Sequence, residues 1–229
     1  MEAFAVAGLW FLFIATHMAL SSQRLRPRLV ARLGPLGFQG LYSVIALAIF
    51  VLLVRTYYAH KHAGAYLWQL SQLPGVAWIG YGVMGAAFAL VVAGLVQPSP
   101  AGMRPGAMTV RGIARVTRHP VVMGFGLWGL AHLLLVRVYL SDLAFFAGFP
   151  FFAVIGCEHQ DQRKREALGE PYRAFADATP FLPFGSRGFA RGLVELPAPI
   201  GIALGIAIAF AVRRWAHVWL AGAPGAGLH

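Results

Sequence analysis

The sequence predicts an all-α integral membrane protein, a bundle of about six transmembrane helices. Three observations carry that prediction. Apolar residues fill 59% of the 229 positions and charged residues only 12%, against about half and about a quarter in soluble domains. Such a chain has too few charges to cover a water-facing surface. The apolar residues also gather into runs near the ~20 residues needed to cross a hydrocarbon layer about 30 Å thick. Finally, the basic residues cluster in alternate connectors between those runs, which is a signal of membrane topology. The formal net charge of +11 is therefore assigned to lipid headgroups and orientation rather than to nucleic acid. A single cysteine, Cys157, excludes an intrachain disulfide and a thiolate metal cluster.

The runs are Ala3–Leu20, Gly37–Tyr57, Val76–Gln97, Pro120–Leu140, Leu143–Cys157 and Pro197–Val212, read as one membrane domain over residues 1–229. The first reads as a span rather than a cleaved signal, because Glu2 stands where a basic n-region belongs. Connector one carries Arg24, Arg26, Arg28 and Arg32, and connector three carries Arg104, Arg111, Arg115 and Arg118. Connector five carries Arg163, Lys164, Arg165, Arg173, Arg187 and Arg191. The opposite side has only Arg55, Lys61, Arg137, Arg213 and Arg214. The positive-inside rule makes connectors one, three and five cytoplasmic in a bacterial inner membrane, with both termini periplasmic. Tyr57, Tyr58, Tyr66 and Trp68 near one interface, and Trp215 and Trp219 past the last span, fit as aromatic anchors. The tail Ala221–Leu228 is a low-complexity Gly/Ala stretch.

Two of the eight histidines, His17 and His132, fall inside apolar runs. An ionisable side chain at membrane depth is costly and marks function by default. A neutral imidazole is a good axial ligand for haem iron. The competing reading is a histidine that hydrogen-bonds a neighbouring helix. Trp128, Gly129 and His132 share a helix face, and Gly124, Gly126 and Gly129 leave space beside it. That space suits a flat macrocycle or a closely packed helix. The run also matches G-x-G-x-x-G, but inside a span it is no dinucleotide loop. Counted from the same face, His17 lies about 8 Å deep and His132 about 18 Å deep. One shared haem must absorb that offset.

A second constellation lies in the connectors. Arg118-His119-Pro120 opens the fourth span, with Pro120 suited to a first helical turn. The charged run Glu158–Arg165 follows the fifth span, then Gly169, Tyr172 and the segment from Thr179 to Phe184. A charged helix and a Pro-aromatic return segment form a lid over connector three, as a cofactor cradle or simply as a cap.

The blocks Thr16–Ser22 and Gly37–Ser43, Thr117–His132, and Asp161–Phe181 resemble those of NnrU-family membrane proteins over about residues 3–185. That family includes the plant 15-cis-zeta-carotene isomerases, which bind haem b. Tyr66–Leu70 and Pro74–Val76 are similar to a connector of those enzymes. The resemblance implies haem b, with His17 and His132 as its ligands. It also implies Arg118, His119 and Arg163 at the cytoplasmic mouth, where arginine pairs with propionates. Gly129 stands where those isomerases have a cysteine, so a ligand swap through that position is not implied. The expected chemistry is redox work or isomerisation of a hydrophobic substrate arriving from membrane lipid, or a role linked to nitrite and nitric oxide metabolism. Enzyme and sensor both fit, and oligomeric state is not indicated.

A more distant resemblance runs to isoprenylcysteine carboxyl methyltransferase-like enzymes. Arg118-His119-Pro120, Gly124, Gly169 and Tyr172 match, while Val122 and Asp161-Gln162 depart from that pattern. It implies S-adenosylmethionine held by Arg118, His119, Asp161 and Tyr172. The third alternative is a non-enzymatic scaffold or carrier whose histidines bridge helices.

Overall fold

The computed structural model describes residues 1–102 and 108–217. Arg104, Trp219, His229 and the tail Ala221–Leu228 lie outside the described residues. The chain is an all-α, multi-pass membrane bundle. Five helices are long and apolar enough to cross a bilayer: α1 (Glu2–Ser21), α2 (Leu25–Ala59), α3 (Val76–Val96), α5 (Leu140–Leu168) and α8 (Ala198–Ala211), the last continued by a π turn at Val212–Ala216. A sixth apolar helix, α4 (Pro120–Leu135), has 16 residues and rises about 24 Å. It is shorter than the predicted run because the chain after it leaves the helix. Val138–Tyr139 forms strand β2, which pairs antiparallel with β1 (Tyr66–Trp68). Short helices α6 (Glu170–Asp177) and α7 (Phe189–Val194) complete the chain.

Two ends differ from the predicted runs for visible reasons. At Gly34 (φ 70°) the helix of α2 kinks before Pro35. The arginine-rich stretch 25–33 is thereby a separate short helical segment, and the apolar run starts after the kink. In α5 the charged run Glu158–Arg165 does not break the helix. It continues α5 to Leu168, where Gly169 ends it at φ 63°, a conformation glycine adopts without penalty.

Packing divides the chain into two compact units, residues 1–80 with 129–170, and residues 81–128 with 171–229. In the first unit, α1 packs on α2 and α5. The Trp10 indole lies over Gly148, and its Nε1–H donates to the Phe145 carbonyl at 2.9 Å. Phe13, Phe145, Phe149 and Phe152 continue this aromatic core along α1 and α5. At one end, the antiparallel pair β1–β2 joins segments far apart in the chain, and Asp142, in the first turn of α5, is fully buried. Asp142 accepts hydrogen bonds from Tyr57 Oη (2.8 Å), His62 Nδ1 (2.9 Å) and the Tyr139 amide (2.9 Å). His62 holds a left-handed backbone (φ 60°), a conformation that costs free energy and is retained here by its carboxylate partner.

In the second unit, Leu90, Ala93, Ile113, Val116 and Ala198 form one core. A second core holds Ala101, Ala114, Tyr172, Phe175 and Ala176. Segment 179–186 lies along 115–118 through hydrogen bonds. The Arg118 amide donates to the Pro180 carbonyl (3.0 Å), the Phe184 amide to Val116 (3.1 Å) and Thr117 Oγ1 to Phe181 (2.7 Å).

Candidate functional site

His17 sits on the last turns of α1, half-buried. Its ring packs against Phe13 (4.1 Å between centroids), Tyr42 (5.1 Å) and Phe152 (5.2 Å). Nδ1 lies 2.9 Å from the Phe13 carbonyl. A carbonyl only accepts, so Nδ1 carries the proton and Nε2 presents its lone pair. This is the orientation that metal-ligating histidines adopt, with the second nitrogen held by a hydrogen bond. Among the described residues, no three His, Cys, Asp or Glu side chains come together to hold a metal ion.

His132 occupies a different layer of the same unit. Its ring stacks on Phe146 at 4.6 Å and 10°, whereas His17 meets Phe152. Six residues of α5 separate those two contacts, about 9 Å of rise. His17 and His132 thus meet different parts of α5, and Nε2 of His17 is the nitrogen that could hold an iron there.

The glycines near His132 pack against helices. A Cβ on Gly124 would meet the α3 backbone, 2.8 Å from the Ala87 carbonyl. One on Gly129 would overlap the Phe146 carbonyl and lie 2.8 Å from Phe149 Cβ. The space beside both is filled by neighbouring helices, the packing alternative raised by the sequence.

Arg118, His119 and Tyr172 belong to the second unit; Arg163 and Asp161 belong to the first. Arg118 is 7% exposed. Its Nη1 donates to the carbonyls of Thr179 (2.7 Å) and Ala176 (3.2 Å), at the C-terminal end of α6. Its guanidinium also lies over the Phe181 ring. These are helix-capping contacts, favoured by the negative end of the helix dipole. His119 is buried with its ring against Phe181, and Tyr172 is buried in the core around Phe175. Asp161 is also buried. Arg163 is half-buried on α5, one nitrogen 3.3 Å from the Ser21 carbonyl.

Sequence reasoning passed over Asp142. The signal was available: a lone carboxylate between Leu140 and Phe149, at the edge of an apolar run.

Helical spans and a histidine held ligand-ready among aromatic rings define a multi-pass membrane protein with a candidate site inside its first unit. More particularly, the chain belongs to the NnrU protein family, whose profile matches residues 5–225. It is 26% identical over 186 residues, 80% of this chain and 50% of the relative, to 15-cis-zeta-carotene isomerase, chloroplastic, of Arabidopsis thaliana. It is 23% identical over 181 residues, 78% of this chain and 49% of the relative, to the protein of the same name from Zea mays. The chain thus spans about half the length of these curated relatives. No solved structure matches it at a significant level.

Proposed function

We propose that this chain is a haem b-dependent isomerase of a long apolar polyene, working within a bacterial inner membrane. Its arginine-rich connectors would be cytoplasmic and both termini periplasmic. The observation that carries the reading is His17. Its Nδ1–H is committed to the Phe13 carbonyl, which leaves Nε2 as the donor to iron. The family and the isomerase relatives support the reaction class.

Bound haem would supply redox and coordination chemistry through its iron. The chain's own residues prepare that site. Phe13 fixes the tautomer of His17 through its carbonyl. Tyr42 and Phe152 pack edge-on against the imidazole and limit its rotation. The surrounding faces of α1 and α2 are apolar and exposed, with Phe11, Leu41 and Val44 on the outer surface, which suits a substrate dissolved in hydrocarbon.

The test is an absorption spectrum, oxidised and reduced, of protein purified in mild detergent from cells given a haem precursor. A stoichiometric Soret band is expected. His17→Ala should be folded and colourless, and His132→Ala should keep its haem. A colourless wild-type protein overturns the haem reading. Full haem in His17→Ala overturns the assignment of the ligand. Chromatographic resolution of cis and trans polyene isomers after incubation then tests the reaction itself.

A further inference from the structure

At the end of the first unit that carries the α1–α2 turn, a polar cleft is lined by Gln23, His159, Gln162, Arg163 and Glu166. On α5 these residues follow 3-1-3 spacing, which puts them on one helix face. The opposite wall is the turn itself. His159 Nε2 lies 3.2 Å from Ser21 Oγ, and Arg163 Nη1 is 3.3 Å from the Ser21 carbonyl.

Arg163 and Glu166 are the two charged residues of the lining. Arg26 and Lys164 add positive charge beside Arg163, and Asp161, which acts on Lys164, offsets part of it, so three cations stand against two carboxylates around the cleft. Among the described residues, no carboxylate forms an ion pair with Arg163 or Arg26. Around the charge stand neutral donors, the amides of Gln23 and Gln162. Guanidinium groups beside neutral donors match the several acceptor oxygens of a phosphate better than the two of a carboxylate.

Depth supports the same ligand. The apolar part of α5, residues 140–157, rises about 27 Å, close to the hydrocarbon thickness. His159 and Arg163 follow within two turns, at the level of lipid headgroups.

We infer that this cleft is a phosphate-ester site, which holds either an anionic lipid headgroup or a free phosphate compound at the membrane surface. The inference does not use His17, and it gives Arg163 a phosphate where the family resemblance implies a haem propionate.

The experiment is native mass spectrometry of the full chain released from nanodiscs of phosphatidylcholine mixed with phosphatidylglycerol. In a second arm, inorganic pyrophosphate is titrated onto protein in phosphatidylcholine alone. The variants are Arg163→Gln, Gln162→Glu, which puts a carboxylate in the cleft, and Arg187→Gln as a control outside it. Selective retention of phosphatidylglycerol, about tenfold weaker in Arg163→Gln and unchanged in Arg187→Gln, establishes a lipid site. Retention without lipid selectivity, but pyrophosphate binding that Arg163→Gln weakens about tenfold, establishes a free phosphate site. Gln162→Glu should weaken whichever ligand binds, and it decides the question if Arg163→Gln does not fold. Equal binding in wild type, Gln162→Glu and Arg187→Gln overturns the proposal.

Discussion

Arg118 and Arg163 look alike in the sequence. Each lies at the charged end of an apolar run, and each reads as a partner for an acidic cofactor group. Their surroundings separate them. Arg118 is 7% exposed and donates to two carbonyls at the end of α6, with an aromatic ring against its plane. Arg163 has one long bond to a carbonyl, like charges nearby and an open cleft in front. The difference teaches how to sort cationic residues near a membrane. An arginine whose donors are satisfied by backbone holds the fold, and one held among like charges is available to a ligand.

The comparison breaks most directly at Arg118. Arg118→Ala removes the donors from the Thr179 and Ala176 carbonyls in a buried setting. We expect a loss of about 4 kcal/mol, since charged hydrogen bonds contribute about 1.5–3 kcal/mol each and a buried group left without its partner adds to that. Thermal unfolding in detergent checks it. Arg163→Ala should cost under about 1 kcal/mol, as for a partly solvated charge. Equal losses for the two variants would end the distinction.

A second sharpening concerns the glycines. Gly129→Ala puts a methyl group into the Phe146 carbonyl and 2.8 Å from Phe149 Cβ. Overpacking of this kind costs about 1–3 kcal/mol, with loss of tight α4–α5 packing. If haem lay beside Gly129, the same variant would change the haem spectrum while leaving stability nearly untouched. Stability and spectrum measured on one sample decide between the two roles.

Much of this was legible beforehand. Hydropathy and run length gave α1, α3 and α8 nearly to their ends, because lipid enforces backbone pairing within each span. The end of α4 was not legible: residues 136–140 are apolar enough for helix, and only pairing with distant Tyr66–Trp68 draws them into a strand. The charged run after Cys157 stays helical because a helix that leaves the hydrocarbon needs no change of backbone. At the candidate site, composition picked out His17 and His132, and counting residues already showed their difference in depth. It could not show the ring contacts that put them in separate layers. Glycine spacing predicted close approach beside His132 without naming what approaches. Arg118 capping α6 depends on a contact 61 residues away, which no local pattern encodes.

Asp142 offers a third test, in the unit that holds Arg163. From α5 its carboxylate joins α2 through Tyr57, the following turn through His62 and β2 through Tyr139. Asp142→Asn removes the charge and turns an amide donor toward groups that donate. The expected loss is about 2 kcal/mol, with faster amide exchange at residues 60–68. Exchange unchanged there would show that this segment is held by its pairing with β2 instead.

The smallest effect is the one most specific to pH, and it lies in the unit of Arg118. Glu195 accepts hydrogen bonds from the Gly112 amide (2.8 Å), Arg115 (3.0 Å) and Arg191 (2.7 Å). The Gly112 amide first, then the two guanidinium groups, hold its pKa down to about 2 from an ordinary value of 4.5. A carboxyl group lowered in the folded state binds protons less readily there than in the unfolded chain. Its stabilisation is therefore complete above pH 4.5, falls as the unfolded chain begins to take up protons, and is gone below about pH 2. The group is solvent-accessible, so the amplitude is small and screened by salt. Glu195→Gln should unfold at a lower temperature than wild type near neutrality, and the gap should close between those two pH values. A gap constant across that window would mean that Glu195 joins 112–115 to α7 through geometry that glutamine reproduces, with its charge contributing nothing.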